Sequence, residues 1–233
     1  MITKDIISQE NINSMQYNLL RRPRLRSLIH TGLQYPLLLV LAAPGYSKSQ
    51  TMADYLLDNE VSALWIRLNH LDNFPTHFWY HIIRSISEGQ PELAENMTSL
   101  GFPQTPSMFV SFANMLEKLI DDHKEGSKET VWVFDDFSEI NNNEIKKFIW
   151  MLSEAELKGF HIVLLSNDFT GIDAVMRMTK KRYVIQTDDL RFTHDEIFDL
   201  FHMHGVTLTP EEISKIMRYT EGWALPIHLF AIQ

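Results

Sequence analysis

The sequence predicts an α/β fold: a parallel sheet covered by helices on both faces, followed by a small helical subdomain. Three observations predict it. Short, wholly apolar runs, of which Leu37 to Leu41 is the clearest, are bounded by turn residues and read as strands buried on both faces. Stretches with helical spacing separate these runs, and strands that alternate with helices imply crossover connections and parallel pairing. After about Thr187 the strand signals stop and only helical patterning continues.

The elements follow in order. Residues up to about Gln16 read as a polar lead-in, and the basic segment Arg21-Arg22-Pro23-Arg24-Leu25-Arg26 leads into a short helix. Pro44 and Gly45 end the first strand, and Ser49 to about Leu57 is helical. Ala63 to Leu68 is strand-like, and Phe74 to Ile86 is helix-like, with Phe78, Ile82, Ile83 and Ile86 on one face. Gly89 to Pro106 holds Pro91, Gly101, Pro103 and Pro106 and reads mostly as loop. Met108 to Asp122 is a helix, Thr130 to Phe134 a third strand, Ile145 to Leu157 a helix, His161 to Leu165 a fourth strand and Tyr183 to Gln186 a short fifth. A boundary near Asp188 divides the chain into a sheet domain, 1–187, and a helical subdomain, 188–233. There Thr193 is placed to cap a helix with Glu196 at the capping-box position. Helices are expected over Asp195–His204, Glu211–Thr220 and from Leu225 onward.

Composition narrows the class. The chain has 233 residues, 45% hydrophobic and 22% charged, enough for one large domain with a sizeable core. The formal net charge of −9 argues against direct DNA contact, which calls for a basic patch or stripe. No cysteine is present, which excludes disulfides and thiolate metal sites and fits a reducing compartment. The longest strongly apolar run, Leu37 to Ala43, is far below the roughly 20 residues that span a bilayer. A cytoplasmic protein without a membrane segment is expected.

The turn after the first strand carries the chemistry. A phosphate-binding loop is Gly, four residues, Gly, Lys, then Ser or Thr, between a strand and a helix. The matching stretch is Ala42-Ala43-Pro44-Gly45-Tyr46-Ser47-Lys48-Ser49, with Gln50 following. Such a turn points backbone N–H groups at phosphate oxygens. Lys48 would add positive charge at the β- and γ-phosphates, and the Ser49 hydroxyl would ligate Mg²⁺. Ala42 stands in place of the first glycine and Ser47 in place of the second. The second change is the more serious, because glycine there permits unusual backbone angles.

The third strand ends in Val133-Phe134-Asp135-Asp136. It delivers its acids to the carboxyl edge of the sheet, where open α/β folds bind ligands. Asp135 is placed to hold Mg²⁺, and Asp136 to orient or deprotonate an attacking water.

Several stretches together resemble a known family. They are Arg22-Pro23-Arg24-Leu25, Ala43 through Ser49, Leu71-Asp72-Asn73 with Phe78-Trp79, Val133 through Asp136, Val163 through Ser166, Asp189-Leu190-Arg191-Phe192-Thr193, and Thr220-Glu221-Gly222-Trp223-Ala224. In this order they are similar to the N-terminal ATPase module of the MalT-like, large LuxR-type transcriptional regulators, a branch of the STAND class of P-loop signalling ATPases. The resemblance implies a P-loop three-layer sandwich with a helical subdomain. In the family a winged helix, a repeat sensor and a DNA-binding helix-turn-helix follow, so the chain reads as a truncated or shortened relative. It implies a switch in which ADP holds a resting form, ATP with inducer favours a self-associating form, and slow hydrolysis resets it. By matched position it implies phosphate and magnesium contacts for Lys48 and Ser49, the acidic pair Asp135 and Asp136, a base-side segment Arg22 to Leu25, and a base-packing proline at Pro226. The family ends its fourth strand in Ser-Arg, whose arginine senses the terminal phosphate. Here the pair is Ser166-Asn167. With Ser47, this weighs against efficient hydrolysis and ATP sensing more than against nucleotide binding.

Other constellations have plainer readings. His77 and His81 stand four apart on an expected helix, with no acidic or third ligand evident nearby, and read as part of a packing helix. His202 and His204 fall on different faces. Arg21 to Arg26 reads as a helix start or nucleotide-side segment rather than a nucleic-acid arm. The sequence therefore leads to a nucleotide-binding regulatory switch, taking ATP or ADP with Mg²⁺ and hydrolysing slowly. The alternative is a degenerate P-loop fold that serves as an interaction module. A metabolic NTPase or kinase lacks any substrate-binding motif.

Overall fold

The computed structural model describes residues 20–122, 129–169, 172, 175 and 179–232. The polar lead-in before Gln16 lies outside the described residues. The elements are α1 (Pro23–Gly32), β1 (Leu37–Leu41), α2 (Lys48–Asp58), β2 (Ser62–Arg67), α3 (Pro75–Ser87), α4 (Pro91–Leu100), α5 (Pro106–Asp122), β3 (Thr130–Asp135), α6 (Asn143–Glu154), β4 (Phe160–Ser166) and β5 (Arg182–Gln186). Then follow α7 (Thr187–Leu190), α8 (His194–Met203), α9 (Pro210–Thr220) and α10 (Ala224–Ala231).

The five strands form one parallel sheet in the order β2-β3-β4-β1-β5. Strand side chains alternate between two cores, which is why the runs are apolar throughout. Leu37, Leu39 and Leu41 join Trp132, Phe134, Ile162 and Leu164 beneath α3 to α6. Leu38 and Val40 join Val131, Val133, Val163 and Leu165 beneath α1 and α2. The first core is aromatic: Phe148 contacts Phe78, Trp79, Phe102, Phe109 and Phe112 at centroid distances of 5.5 to 6.2 Å. Such pairs are worth about 0.5–1.5 kcal/mol beyond their buried area.

Two expectations are corrected. Gly89 to Pro106 is not mostly loop, because α4 occupies Pro91–Leu100. Pro91 sits at the helix start, where its missing N–H costs nothing, and Leu93, Ala94 and Met97 bury one face. The helix expected to run to Leu157 ends at Glu154. Glu156 has φ 51° and Gly159 φ 73°, outside the helical region, and they turn the chain into β4.

The last helices have a core of their own: Phe192, Ile197, Leu200, Phe201, Ile213, Ala224, Ile227 and Ala231. Thr193 and Glu196 form the capping box that opens α8, and Thr209 and Glu212 repeat it for α9. A 2.8 Å bond from Phe192 N–H to Gly222 O ties the start of this unit to its last turn. Gly222 (φ 76°) is needed there, since a Cβ would lie 2.9 Å from Phe192 O.

Candidate functional site

Parallel pairing carries the strand ends to one edge of the sheet. Leu41 lies opposite Ser166, and Arg67 opposite Asp135. Because β4 separates β1 from β3, the residue after β4 stands between the turn after β1 and the acids after β3. That residue is Asn167.

The turn Ala42 to Ser47 leaves β1 and enters α2 at Lys48. Gly45 has φ 84°. Ser47 has φ 57° and ψ 28°, the left-handed conformation that glycine adopts without strain. The loop thus takes a glycine conformation with a serine, at roughly 1–2 kcal/mol. Gln50 lies in the first turn of α2, half-buried.

Lys48 Nζ donates to Ala42 O (2.6 Å), Ala43 O (3.2 Å) and Asn167 Oδ1 (2.9 Å). An ammonium has three protons, so its donors are matched. Burial pushes its pKa down, against the opposing pull of Asp135 and Asp136. Asn167, which brings no charge, therefore anchors the lysine through its carbonyl.

Ser49 Oγ donates to Asp135 Oδ1 at 2.9 Å. Asp135 is 4% exposed, and burial pushes its carboxyl above the usual range although the Ser49 bond opposes this. The pair fits Mg²⁺, a hard cation that takes oxygen ligands. Adjacent ligands of an octahedron with metal–oxygen distances of 2.0–2.1 Å lie about 2.9 Å apart. Asp136 follows in a left-handed conformation (φ 58°, ψ 40°), and its N–H donates to Asp135 Oδ1 at 3.0 Å. Its carboxylate meets Arg67 Nε at 3.0 Å. Arg67, an exposed arginine ending an apolar strand, belongs to no sequence motif; only the pairing of β2 with β3 brings it to the edge that carries Asp135.

The base-side residues separate. Leu25 is 1% exposed and belongs to the core under α1 and α2, and Pro23 opens α1. Arg22 and Arg24 turn to the helical subdomain: Arg22 Nη2 lies 2.9 Å from Glu196 Oε2, and Arg24 Nη2 lies 2.9 Å from Arg191 O. A cleft behind Ser47 is lined by Arg22, Arg26, Thr51, Asp54, Phe192 and His228. Pro226 is half-buried in α10, and the α10 side chain lining the cleft is His228. Burial pushes the His228 pKa down, with Arg22 and His204 adding to the effect.

The helical subdomain also seats on the phosphate loop. Leu225 N–H donates to Gly45 O at 2.9 Å and Trp223 Nε1 to Pro44 O at 3.2 Å, while Tyr46 stacks on Trp223 at 6.4 Å. A Cβ on Gly45 would lie 2.8 Å from Trp223 Nε1. No local sequence pattern signals these contacts, which join positions far apart in the chain.

His77 and His81 have an acidic neighbour, which corrects the sequence expectation. Their Nδ1 atoms lie 2.9 and 3.1 Å from Oδ1 of Asp72, which is fully buried. The other Asp72 oxygen accepts the Asn69 N–H at 2.8 Å, so the cluster staples the turn before α3. Among the described residues no group of three or more His, Cys, Asp or Glu is arranged to hold a metal ion. Nor is any described helix long and apolar enough to cross a membrane.

Sheet order, turn and acid pair together define a P-loop ATPase-type α/β fold. The Walker-type ATPase PABY2304 of Pyrococcus abyssi shares it, with a TM-score of 0.60 and 13% identity, over 93% of this chain and 68% of that one. No family model matches the chain. Its relatives include the transcriptional regulator MalT of Vibrio parahaemolyticus, 24% identical over 220 residues, which is 93% of this chain and 24% of MalT. They also include the serine/threonine-protein kinase PknK of Mycobacterium tuberculosis, 24% identical over 220 residues, 92% of this chain and 20% of PknK. The chain is thus similar, over nearly all of its length, to a MalT-like module, and it spans about a fifth to a quarter of the relatives it matches.

Proposed function

We infer that this chain is a nucleotide-binding switch module that holds ADP or ATP with Mg²⁺ and hydrolyses ATP slowly. The observation that carries the reading is the convergence of Lys48, the Ser49–Asp135 pair and Asn167 at one edge of the sheet, beside the start of α2. A helix N-terminus and the N–H groups of the preceding turn favour phosphate. Lys48 is positioned to exchange its carbonyl partners for phosphate oxygens. Ser49 and Asp135 would hold Mg²⁺, which neutralises phosphate charge when bound. Asp136 would orient water or take its proton. Its carboxylate is engaged by Arg67 at 3.0 Å, which restrains its freedom to meet a water and fits slow turnover, as do Ser47 and the missing arginine at Asn167. As part of a longer cytoplasmic regulator, the module would contribute to nucleotide-controlled self-association, with DNA contact made elsewhere.

Calorimetric titration with ADP and ATP, with and without Mg²⁺, tests this. Binding in the micromolar range is expected, and Lys48→Ala should weaken it by about 3 kcal/mol, over a hundredfold. Absence of binding at millimolar nucleotide sinks the reading. Steady-state turnover is expected below about 1 s⁻¹.

A second reading is favoured by one observation: all three donors of Lys48 are already matched within the protein. A P-loop fold so satisfied can serve as an interaction module without nucleotide. In that case Lys48→Ala alters stability and leaves no ligand-dependent signal to lose.

A further inference from the structure

Asp136 is held at its backbone and free to turn at its side chain. Its N–H donates to Asp135 Oδ1 at 3.0 Å, and its φ of 58° sets a left-handed turn straight after β3. The side-chain torsions then decide where the carboxylate lies. Among the described residues that carboxylate has one bonded partner, Arg67, whose Nε meets Oδ2 at 3.0 Å.

Arg67 draws the carboxylate away from the phosphate position. It ends β2, the edge strand, in register with Asp135. Lys48 and Asn167 follow β1 and β4, on the opposite side of β3, and are bonded to each other there at 2.9 Å. The acid that would meet a water beside the terminal phosphate is therefore held toward β2. The fold does not need this pair. The ladder from Ser62–Thr130 to Arg67–Asp135 already joins the two strands, and the 2.9 Å bond from Leu68 N–H to Asp135 O extends it. The Arg67 side chain is 69% exposed and that of Asp136 31%. Ion pairs so open to water are weak and break readily. A weak pair on a torsionally free acid biases one rotamer without forbidding the other.

We propose that Arg67 is a positioning residue that latches Asp136 in an idle rotamer and so restrains ATP hydrolysis. With the latch open, Asp136 turns toward β4 and accepts a proton from the attacking water. The water oxygen bonds to the terminal phosphorus as the bond to the bridging oxygen breaks, and that electron pair leaves on ADP. The proposal rests on the nucleotide reading above and deepens it by naming a residue that regulates turnover at that site. The gain on release cannot exceed the strength of the pair that is lost, so an exposed pair restrains the rate by about two- to fivefold.

The test is steady-state hydrolysis of ATP with Mg²⁺ by the 233-residue chain, with ADP affinity measured alongside. Arg67→Gln and Arg67→Met keep a long side chain and remove the charge. Each should raise kcat about two- to fivefold and leave KM and ADP affinity within about twofold. Arg67→Lys, which can restore the pair, should return toward the wild-type rate. Asp136→Asn should be slower than wild type, and adding Arg67→Gln to it should give no gain. If one uncharged variant does not fold, the other decides. Uncharged variants that turn over no faster than wild type, or a gain that survives in the Asp136→Asn background, overturn the proposal while ADP binding stays intact. If the wild type binds neither ADP nor ATP, the nucleotide reading fails and the proposal with it.

Discussion

Ser47 is where backbone and side chain disagree most plainly. Its φ of 57° is what a phosphate loop asks of the residue before the lysine, and serine adopts it against the steric cost of its Cβ. Ser47→Gly removes that cost but gives the unfolded chain more freedom, so the net gain is about 0.5–1 kcal/mol. The expected result is a higher melting temperature together with tighter ADP binding. A lower melting temperature would mean that the Ser47 side chain supports the loop by a contact of its own. Asn167 is a different kind of departure. Where the resembling family has an arginine, it offers a carbonyl that holds Lys48 at 2.9 Å. Asp135 and Lys48 are both pushed by burial toward their neutral forms. The charges of Asp135 and Asp136 oppose that push at Lys48, so the acids after β3 and the lysine after β1 are electrostatically coupled.

At the scale of elements, the N-terminal approach to α1 is coupled to α8. Glu196 caps α8 through Thr193 and also faces Arg22 at 2.9 Å and Arg24 at 3.4 Å. Burial raises its pKa, but the bond and charge of Arg22 outweigh this and hold the carboxyl below the usual range. A depressed carboxylate adds stability that is present above its unfolded pKa and is lost as pH falls through the folded value. Glu196→Gln retains the capping-box bond and removes the charge. It should cost about 3 kcal/mol near neutral pH, because Arg22 is left buried beside a neutral partner. The gap from wild type should close below about pH 4.3, as measured by denaturant unfolding across pH. A gap that stays constant with pH would assign the cost to packing. This coupling also marks what was legible in sequence. The strands, the Thr193 cap and the placing of Lys48, Ser49 and Asp135 at one sheet edge could be read because each is specified within a few neighbouring positions. Pro91 misled, since a proline breaks a helix interior but favours its first turn. Arg22 with Glu196, Arg67 with Asp136, and Asp72 with His77 and His81 depend on where the topology brings side chains together. No local pattern carries that.

At the scale of the whole molecule, the helical subdomain touches the phosphate loop directly. Trp223 and Leu225 bond to Pro44 and Gly45, contacts that join positions far apart in the chain. Gly45 has no Cβ to hold them off, so the loop that would receive phosphate is also the floor on which α10 rests. Any rearrangement of that loop is therefore felt at Trp223. Of the five tryptophans, Trp65, Trp79 and Trp132 are buried in the sheet domain, Trp150 is half-buried, and Trp223 is 39% exposed. Its indole N–H donates to the loop and its ring stacks on Tyr46, so its emission should respond when ADP orders the loop. The expected outcome is a saturable change in intrinsic tryptophan fluorescence on adding ADP with Mg²⁺. Trp223→Phe should lose that change and still bind ADP by calorimetry within about fivefold, since one neutral hydrogen bond contributes about 1 kcal/mol. A fluorescence change that survives in Trp223→Phe would place the rearrangement in the sheet domain. The helical subdomain would then ride on the phosphate loop without reporting its occupancy, and the physical link between the two halves of the chain would have to run through Arg22 and Glu196.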